Sequence, residues 1–145
     1  MVENTETIKI KYLPGAAHMS QEAYGDYIDC YAYEDVTLKK GEYGYVNLGF
    51  SCQLPDGYEG ILVPRSSTFK HFGVIQTNSI GAIDNSFNGN GDIWMMPVYA
   101  MRDTVIKKGE RPCQFRIQKN QPKLIFEEVS DLHNEDRSGF GSTGR

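Results

Sequence analysis

Five short stretches of this chain carry side chains that can do chemistry. "VPRSST" (63–68) places Arg65, Ser66 and Ser67 after an apolar run and ahead of a short helical pattern. Backbone N–H groups at a helix start, with hydroxyls and a guanidinium, suit a phosphate; a plain helix cap beside a surface arginine explains the same residues. "TNSIGAIDNSFNGNG" (77–91) sets Asp84 behind Ile83, among glycines and asparagines that force bends. A carboxylate held there can orient or deprotonate a water, and the alternative is an Asx-turn within a hairpin. Asn78 can offer an amide donor and acceptor to a nucleobase edge, or cap a turn. "KKGERPCQF" (107–115) brings Gln114 to the start of a strand, as a ligand contact or a solvated side chain. "YGDYIDCYAY" (24–33) holds Asp26 and Asp29. One of these could reach a hydrated magnesium ion, although surface carboxylates are the cheaper explanation for either. The end, "EDRSGFGSTGR" (135–145), combines Arg137 and Arg145 with hydroxyls, glycines and a single ring, Phe140. It has too little apolar surface to fold alone, so disorder is the first expectation.

These groups need a scaffold, and the hydrophobic periodicity is that of strands. Ile8, Ile10 and Tyr12 alternate with Lys9 and Lys11, and Val46, Leu48, Phe50, Cys52 and Leu54 with Asn47, Gly49, Ser51 and Gln53. Each pattern turns one face to a core and the other to water. "PDG" (55–57) marks a turn, and Tyr58 to Val63 reads as its return strand. Further strands are expected near 74–78, 92–101, 112–118 and 123–129. Only Ser66 to Gly73 reads as a helix, with serine at its start and glycine at its end. "DVTLKKGE" (35–42) is echoed by "DTVIKKGE" (103–110). Either a common turn arose twice or the two occupy related corners of a two-sheet structure. Many short strands with regular turns make the fold all-β, a sandwich or jelly roll. The core is expected over 1–130 and a flexible carboxyl-terminal segment over 131–145.

Composition narrows the function classes. At 145 residues the chain is the size of one domain, and 23% charged with 39% hydrophobic residues is globular usage. A net charge of −4 supplies no general attraction to nucleic acid or an anionic membrane, and neither is an expected partner. An anionic ligand must then be held by a few placed cations or a metal. Cys30, Cys52 and Cys113 show no C-x-x-C spacing, which reads as small buried hydrophobes with reduced thiols in a cytoplasmic compartment. "MVENTETIKIKY" has no secretory apolar region, and the longest apolar run, Ile93 to Met101, is too short to span a bilayer. His18, His71 and His133 lack ligand spacing, so structural zinc is not expected.

Taken in order, "YIDCYA", "PRSS", "GAIDNSFNG", "GERPCQ" and "RSGFGSTG" resemble the five motifs of the trimeric dUTP diphosphatases, the dUTPases, over roughly residues 24 to 145. "GFGSTG" is the most specific element, and "GAID" following "PRSS" is next. The run "PRSST…FGVIQTNS" is similar to the bacillus and phage branch of that family.

The resemblance implies a jelly-roll homotrimer with three active sites between subunits. It implies hydrolysis of dUTP to dUMP and pyrophosphate by water attack at the α-phosphorus, with Mg²⁺ on the triphosphate. Such a cytoplasmic activity keeps uracil out of DNA and supplies dUMP for thymidylate synthesis. On this chain the resemblance assigns water activation to Asp84 and phosphate oxygens to Arg65, Ser66 and Ser67. Gln114 would contact the phosphate chain near the scissile bond. Asn78 and the hairpin backbone near Ala82 and Ile83 would read uracil, while Phe87 would pack on deoxyribose. Asp29 would reach magnesium through water. The tail would fold over the nucleotide, with Phe140 stacking on uracil and Arg137, Gly141, Ser142 and Thr143 gripping the γ-phosphate.

Three positions depart from the family pattern. Phe87 stands where tyrosine is usual, only Ser138 separates Arg137 from "GFG", and Tyr27 stands where glycine is common. The short spacer leaves Arg145 as an alternative to Arg137. Two other functions fit the same fold class. A dCTP deaminase needs a glutamate on the strand after the third motif, and "GDIWMMPVYA" (91–100) offers none. A non-catalytic nucleotide-sensing or regulatory β-sandwich needs no water-activating carboxylate, which Asp84 supplies beside a complete tail motif.

Overall fold

The computed structural model describes residues 4–21 and 25–139. The chain folds through β1 (Lys9–Tyr12), β2 (Ile28–Cys30), β3 (Val36–Leu38) and β4 (Tyr43–Asn47), then β5 (Phe50–Gln53) and β6 (Tyr58–Pro64). The five-residue helix α1 (Thr68–Phe72) separates these from β7 (Val74–Gln76) and β8 (Gly81–Ile83). Last come β9 (Met95–Ala100), β10 (Thr104–Ile106) and β11 (Cys113–Lys119). Sheets β2–β11–β6–β8 and β4–β9–β7, with the ribbons β1–β5 and β10–β3, are antiparallel throughout. The fold is all-β, of the jelly-roll class the short strands predict.

The inward residues make one core. Trp94 lies 5.0 Å from the Phe50 ring and 5.2 Å from Phe115, and Val46, Leu62, Met96, Val98 and Ile106 are buried around them. Gly60 lets β6 pass beneath the indole. A Cβ there would stand 2.7 Å from Trp94 Cη2. Cys30, Cys52 and Cys113 are free and buried, as their spacing suggests. Burial pushes the Cys52 thiol up to about 12 and, with help from the neighbouring Cys113, holds Cys30 well above its ordinary value.

The repeated octapeptide proves to be a single device used twice. β3 and β10, one from each copy, pair with each other, with Val105 opposite Thr37. Each glutamate accepts a backbone N–H within its own turn, Lys39 to Glu42 at 2.6 Å and Lys107 to Glu110 at 2.7 Å. Each aspartate accepts from the other copy: Lys40 N–H to Asp103 and Lys108 N–H to Asp35, both at 2.8 Å. Gly41 and Gly109 supply the same left-handed bend, at φ +88° and +86°. The two occupy related corners.

Four local expectations change. The alternating run 46–54 is interrupted at Leu48 and Gly49, where the chain leaves β9 as partner and takes up β1. Leu48 stays buried through the break, so the periodicity survives while the partner changes. The turn at Pro55 closes with a Tyr58 N–H bond of 3.2 Å, but β5 and β6 lie in different sheets and form no hairpin. The helix is shorter than Ser66–Gly73 because Arg65 to Ser67 form a turn ahead of it. Residues 123–129 form no strand and pair with no strand among the described residues.

Candidate active site

Thr68 organises the first part of the site. Its buried hydroxyl accepts from the Arg65 N–H at 2.8 Å and donates to the Pro112 carbonyl at 2.7 Å. That ties the turn after β6 to the start of β11. Strand register then sets Gln114 opposite Val63 on one side and Asp29 on the other. Arg65 Nε reaches Asp29 Oδ1 at 3.2 Å, and Gln114 Nε2 donates to the Pro64 carbonyl at 3.2 Å. Arg111 Nη1 closes on the other oxygen of Asp29 at 3.0 Å. Two guanidinium groups against one carboxylate leave this end net positive, as an anion site requires. Ser66 is exposed, and Ser67, at the helix N-cap, makes no side-chain cap bond. Thr68 does the tying, so the helix consumes neither serine hydroxyl.

Asp84 lies just past β8. Its Oδ1 accepts the Ser86 N–H at 2.7 Å, which is the Asx-turn the neighbouring residues suggest. That bond, aided by the Ser86 side chain, holds the carboxyl below its ordinary value, so it is ionised at neutral pH. The turn engages one oxygen and leaves lone pairs for a water. Asn85 anchors the segment by acting as a strand partner for Leu54, accepting its N–H at 2.9 Å and donating to its carbonyl at 3.1 Å. Asp84 borders an open cavity of ≈ 490 Å³ with mainly apolar walls from Tyr45, Ala82, Ile83, Phe87, Trp94 and Met95. Asn78 stands exposed after β7, its Oδ1 accepting from Gln76 Nε2 at 2.9 Å.

One chain does not bring these parts together. Gly60 pairs with Ile83, so continuing the register sets Asp84 beside Glu59, at the far end of β6 from Arg65. A strand rises about 3.3 Å per residue, which separates the carboxylate from the cations by roughly 20 Å. Arg137 is exposed in the segment after β11. Phe140, Gly141, Ser142, Thr143 and Arg145 lie outside the described residues. Among the described residues, no three His, Cys, Asp or Glu side chains converge as a metal cluster.

A model of the dUTPase family matches residues 20–144. The chain belongs to the dUTPase family. It is 55% identical over 138 residues to the SPbeta prophage-derived deoxyuridine 5'-triphosphate nucleotidohydrolase of Bacillus subtilis (strain 168), covering 94% of this chain and 97% of that one. A mutant of the Staphylococcus bacteriophage 80alpha dUTPase with dUpNHpp shares the fold at TM-score 0.80 and 19% identity, over 97% of this chain and 100% of that one. A mutant of the dUTPase from phage phi11 of S. aureus, described with a structural Mg(II) ion, matches at TM-score 0.75 and 15% identity, over 87% and 98% of the two chains. Within this dUTPase-family chain, two polar residues beside the motif positions escape a reading by sequence alone. Arg111 lies inside "GERPCQF" but resembles a solvated turn arginine until β11 pairs with β2 and turns it to Asp29. Gln76 sits in a β-type run, and only packing reveals it as a buried amide bonded to Asn78.

Proposed function

We propose that this protein hydrolyses dUTP to dUMP and pyrophosphate in the cytoplasm, as a homotrimer whose active sites form between copies. The match of residues 20–144 to the dUTPase family carries this reading. Asp84 takes a proton from the water that attacks the α-phosphorus, a role suited to a carboxyl that its turn keeps ionised. Arg65, Ser66 and Ser67 hold phosphate oxygens, and Gln114 contacts the chain beside the scissile bond. Phe87 packs on deoxyribose at the apolar cavity, while Asn78 and the backbone at Ala82 and Ile83 read uracil. Arg137 with Phe140, Gly141, Ser142 and Thr143 closes over the base and γ-phosphate, excluding water as reaction begins.

A magnesium ion bound with the triphosphate would supply positive charge to offset that growing on the leaving pyrophosphate. Both oxygens of Asp29 already face guanidinium groups, which fits contact with a hydrated ion through water rather than direct ligation. Arg111 keeps that carboxylate oriented.

Three features support assembly. Asp84 and Arg65 sit at opposite ends of β6, so a second copy is needed to join base and cations. The outer face of β4–β9–β7 exposes Tyr43, Tyr45, Met95, Tyr99 and Ile75. Beyond β11, Ile125 and Phe126 are 94% and 92% exposed, an apolar arm suited to lie on a neighbour. The deciding assay is pyrophosphate release from dUTP, dCTP, dTTP and UTP, with and without magnesium. Release from dUTP alone, strongest with magnesium, is expected; equal release from dCTP or none from dUTP would reject the reading. Light scattering should return three times the 16.4 kDa chain mass.

A further inference from the structure

Asn78 can present either end of its amide to a base, and the residues behind it decide which. We propose that Gln76 sets the polarity of Asn78, so that an N–H donor faces the ligand and a 4-oxo pyrimidine is selected over a 4-amino one. The inference rests on the uracil-reading role proposed for Asn78. Gln76 is thereby a positioning residue, acting on the base through its neighbour.

The argument starts at a group with no freedom. The Leu62 carbonyl on β6 can only accept hydrogen bonds, and Gln76 Nε2 donates to it at 3.0 Å across the two sheets. Reversing the Gln76 amide would set two acceptor oxygens against each other. The same Nε2 gives its second hydrogen to Asn78 Oδ1 at 2.9 Å. Asn78 therefore has its oxygen engaged inward, and its Nδ2 is the end left for a ligand. Backbone bonds hold the turn on both sides, Thr77 N–H to the Pro97 carbonyl and Ser79 N–H to the Gln76 carbonyl, each at 3.1 Å.

Gln76 is itself an unusual residue for its position. It is 6% exposed, and its Oε1 is buried with no partner among the described residues. An apolar side chain would avoid that orphaned acceptor, so stability alone does not account for an amide here. Its two Nε2 bonds do. Carbon 4 of uracil bears an oxygen that accepts from Asn78 Nδ2, whereas carbon 4 of cytosine bears an amino group that would meet donor with donor. A site built around one such bond discriminates steeply, because the wrong base leaves buried polar groups unpaired.

Calorimetry with α,β-imido dUTP and α,β-imido dCTP, in magnesium, tests this on the full-length wild type, Gln76→Leu, Gln76→Glu and Asn78→Ala. KM and kcat for dUTP are measured alongside, and folding is checked by circular dichroism. Gln76→Leu should lower the preference for the uracil analogue by at least ~10-fold. It should act mainly through KM, with kcat moving less. In Gln76→Glu the buried side chain stays protonated, gives its O–H to the Leu62 carbonyl and accepts from Asn78 Nδ2. Asn78 Oδ1 then turns outward, and the cytosine analogue should bind more tightly than it does to the wild type. Wild-type preference retained in the folded Gln76 variants but lost in Asn78→Ala would overturn the polarity relay and leave the dUTP reading standing. A wild type that does not prefer the uracil analogue would overturn both. If Gln76→Leu does not fold, the sign of the Gln76→Glu change decides.

Discussion

The chain up to Lys119 and the chain beyond it make opposite use of apolar residues. Before Lys119, alternation buries one face of most strands, and Asp29, Arg65 and Gln114 take their places from strand pairing. Asp29 and Gln114 face each other because β2 and β11 are in register. After Lys119 the chain still carries Leu124, Ile125, Phe126, Val129 and Leu132, yet it pairs with no described strand, and Leu132 is 81% exposed. Strand-forming composition becomes a strand only where an edge is available to satisfy it. Pairing fixes the side chains of the core, whereas the arm leaves its apolar side chains exposed.

Four experiments break or sharpen that contrast. The largest effect should follow Asp84→Asn. An amide oxygen can still accept the Ser86 N–H, so the thermal midpoint should scarcely move, while turnover falls about 10²–10⁴-fold for want of a base. Near-normal turnover would remove Asp84 from the mechanism.

Truncations come second. Deleting Ser138–Arg145 should leave a folded trimer with an unchanged melting temperature in the absence of ligand. Its affinity for α,β-imido dUTP should drop by at least about 5- to 150-fold, the worth of the stacked ring alone, since Ser142 and Thr143 are lost with it. Deleting Asn120–Arg145 should also reduce the light-scattering mass, because the apolar arm goes with it. An intact trimer after the longer deletion would show that the sheet faces alone hold the assembly.

Third is Gly60→Ala, a core test. Its Cβ would meet Trp94 Cη2 at 2.7 Å, against a buried indole packed on Phe50 and Phe115. Urea unfolding should register a loss of about 1–3 kcal/mol. Unchanged stability would mean the indole moves aside more easily than its packing implies.

Smallest is a pH effect. Asp84 is held below its ordinary carboxyl value first by the Ser86 backbone N–H and then by the Ser86 side chain. A lowered pKa keeps the base form present as pH falls, so the acid limb of kcat/KM should lie below the ordinary aspartate value of about 3.9. Ser86→Ala keeps the backbone bond and loses the side-chain one. Its acid limb should shift upward, and a limb that stays put would assign the effect to the backbone alone.

Much of the core could be read in advance because strand alternation is local. Met96, Val98 and Ala100 turn inward and Met95 and Tyr99 outward, as a period of two requires. The motif order was legible through its resemblance to the dUTPase family, whereas Arg65, Asn78, Asp84 and Gln114, taken one at a time, each fit a plain structural role as well. The interrupted run at Leu48 and the absent strand at 123–129 were not legible. In both cases the pattern was right for a strand, and the missing information was which edge it would meet.

The residue types, their order and their local periods determined an all-β domain with a phosphate-suited turn, a carboxylate turn and a glycine-rich tail. Tertiary structure alone decided which groups face one another. Arg111 and Asp29 are 82 residues apart, and their contact at 3.0 Å exists only because β2 and β11 pair in one register rather than another. Gln76 meets the Leu62 carbonyl only because two sheets pack at that point, and Asp84 parts from Arg65 only because β8 runs antiparallel along β6 from Leu62 toward Gly60. Local sequence sets which face of a strand is apolar. Register and sheet packing emerge from the summed burial and backbone bonding of distant segments, and no single stretch contains that sum.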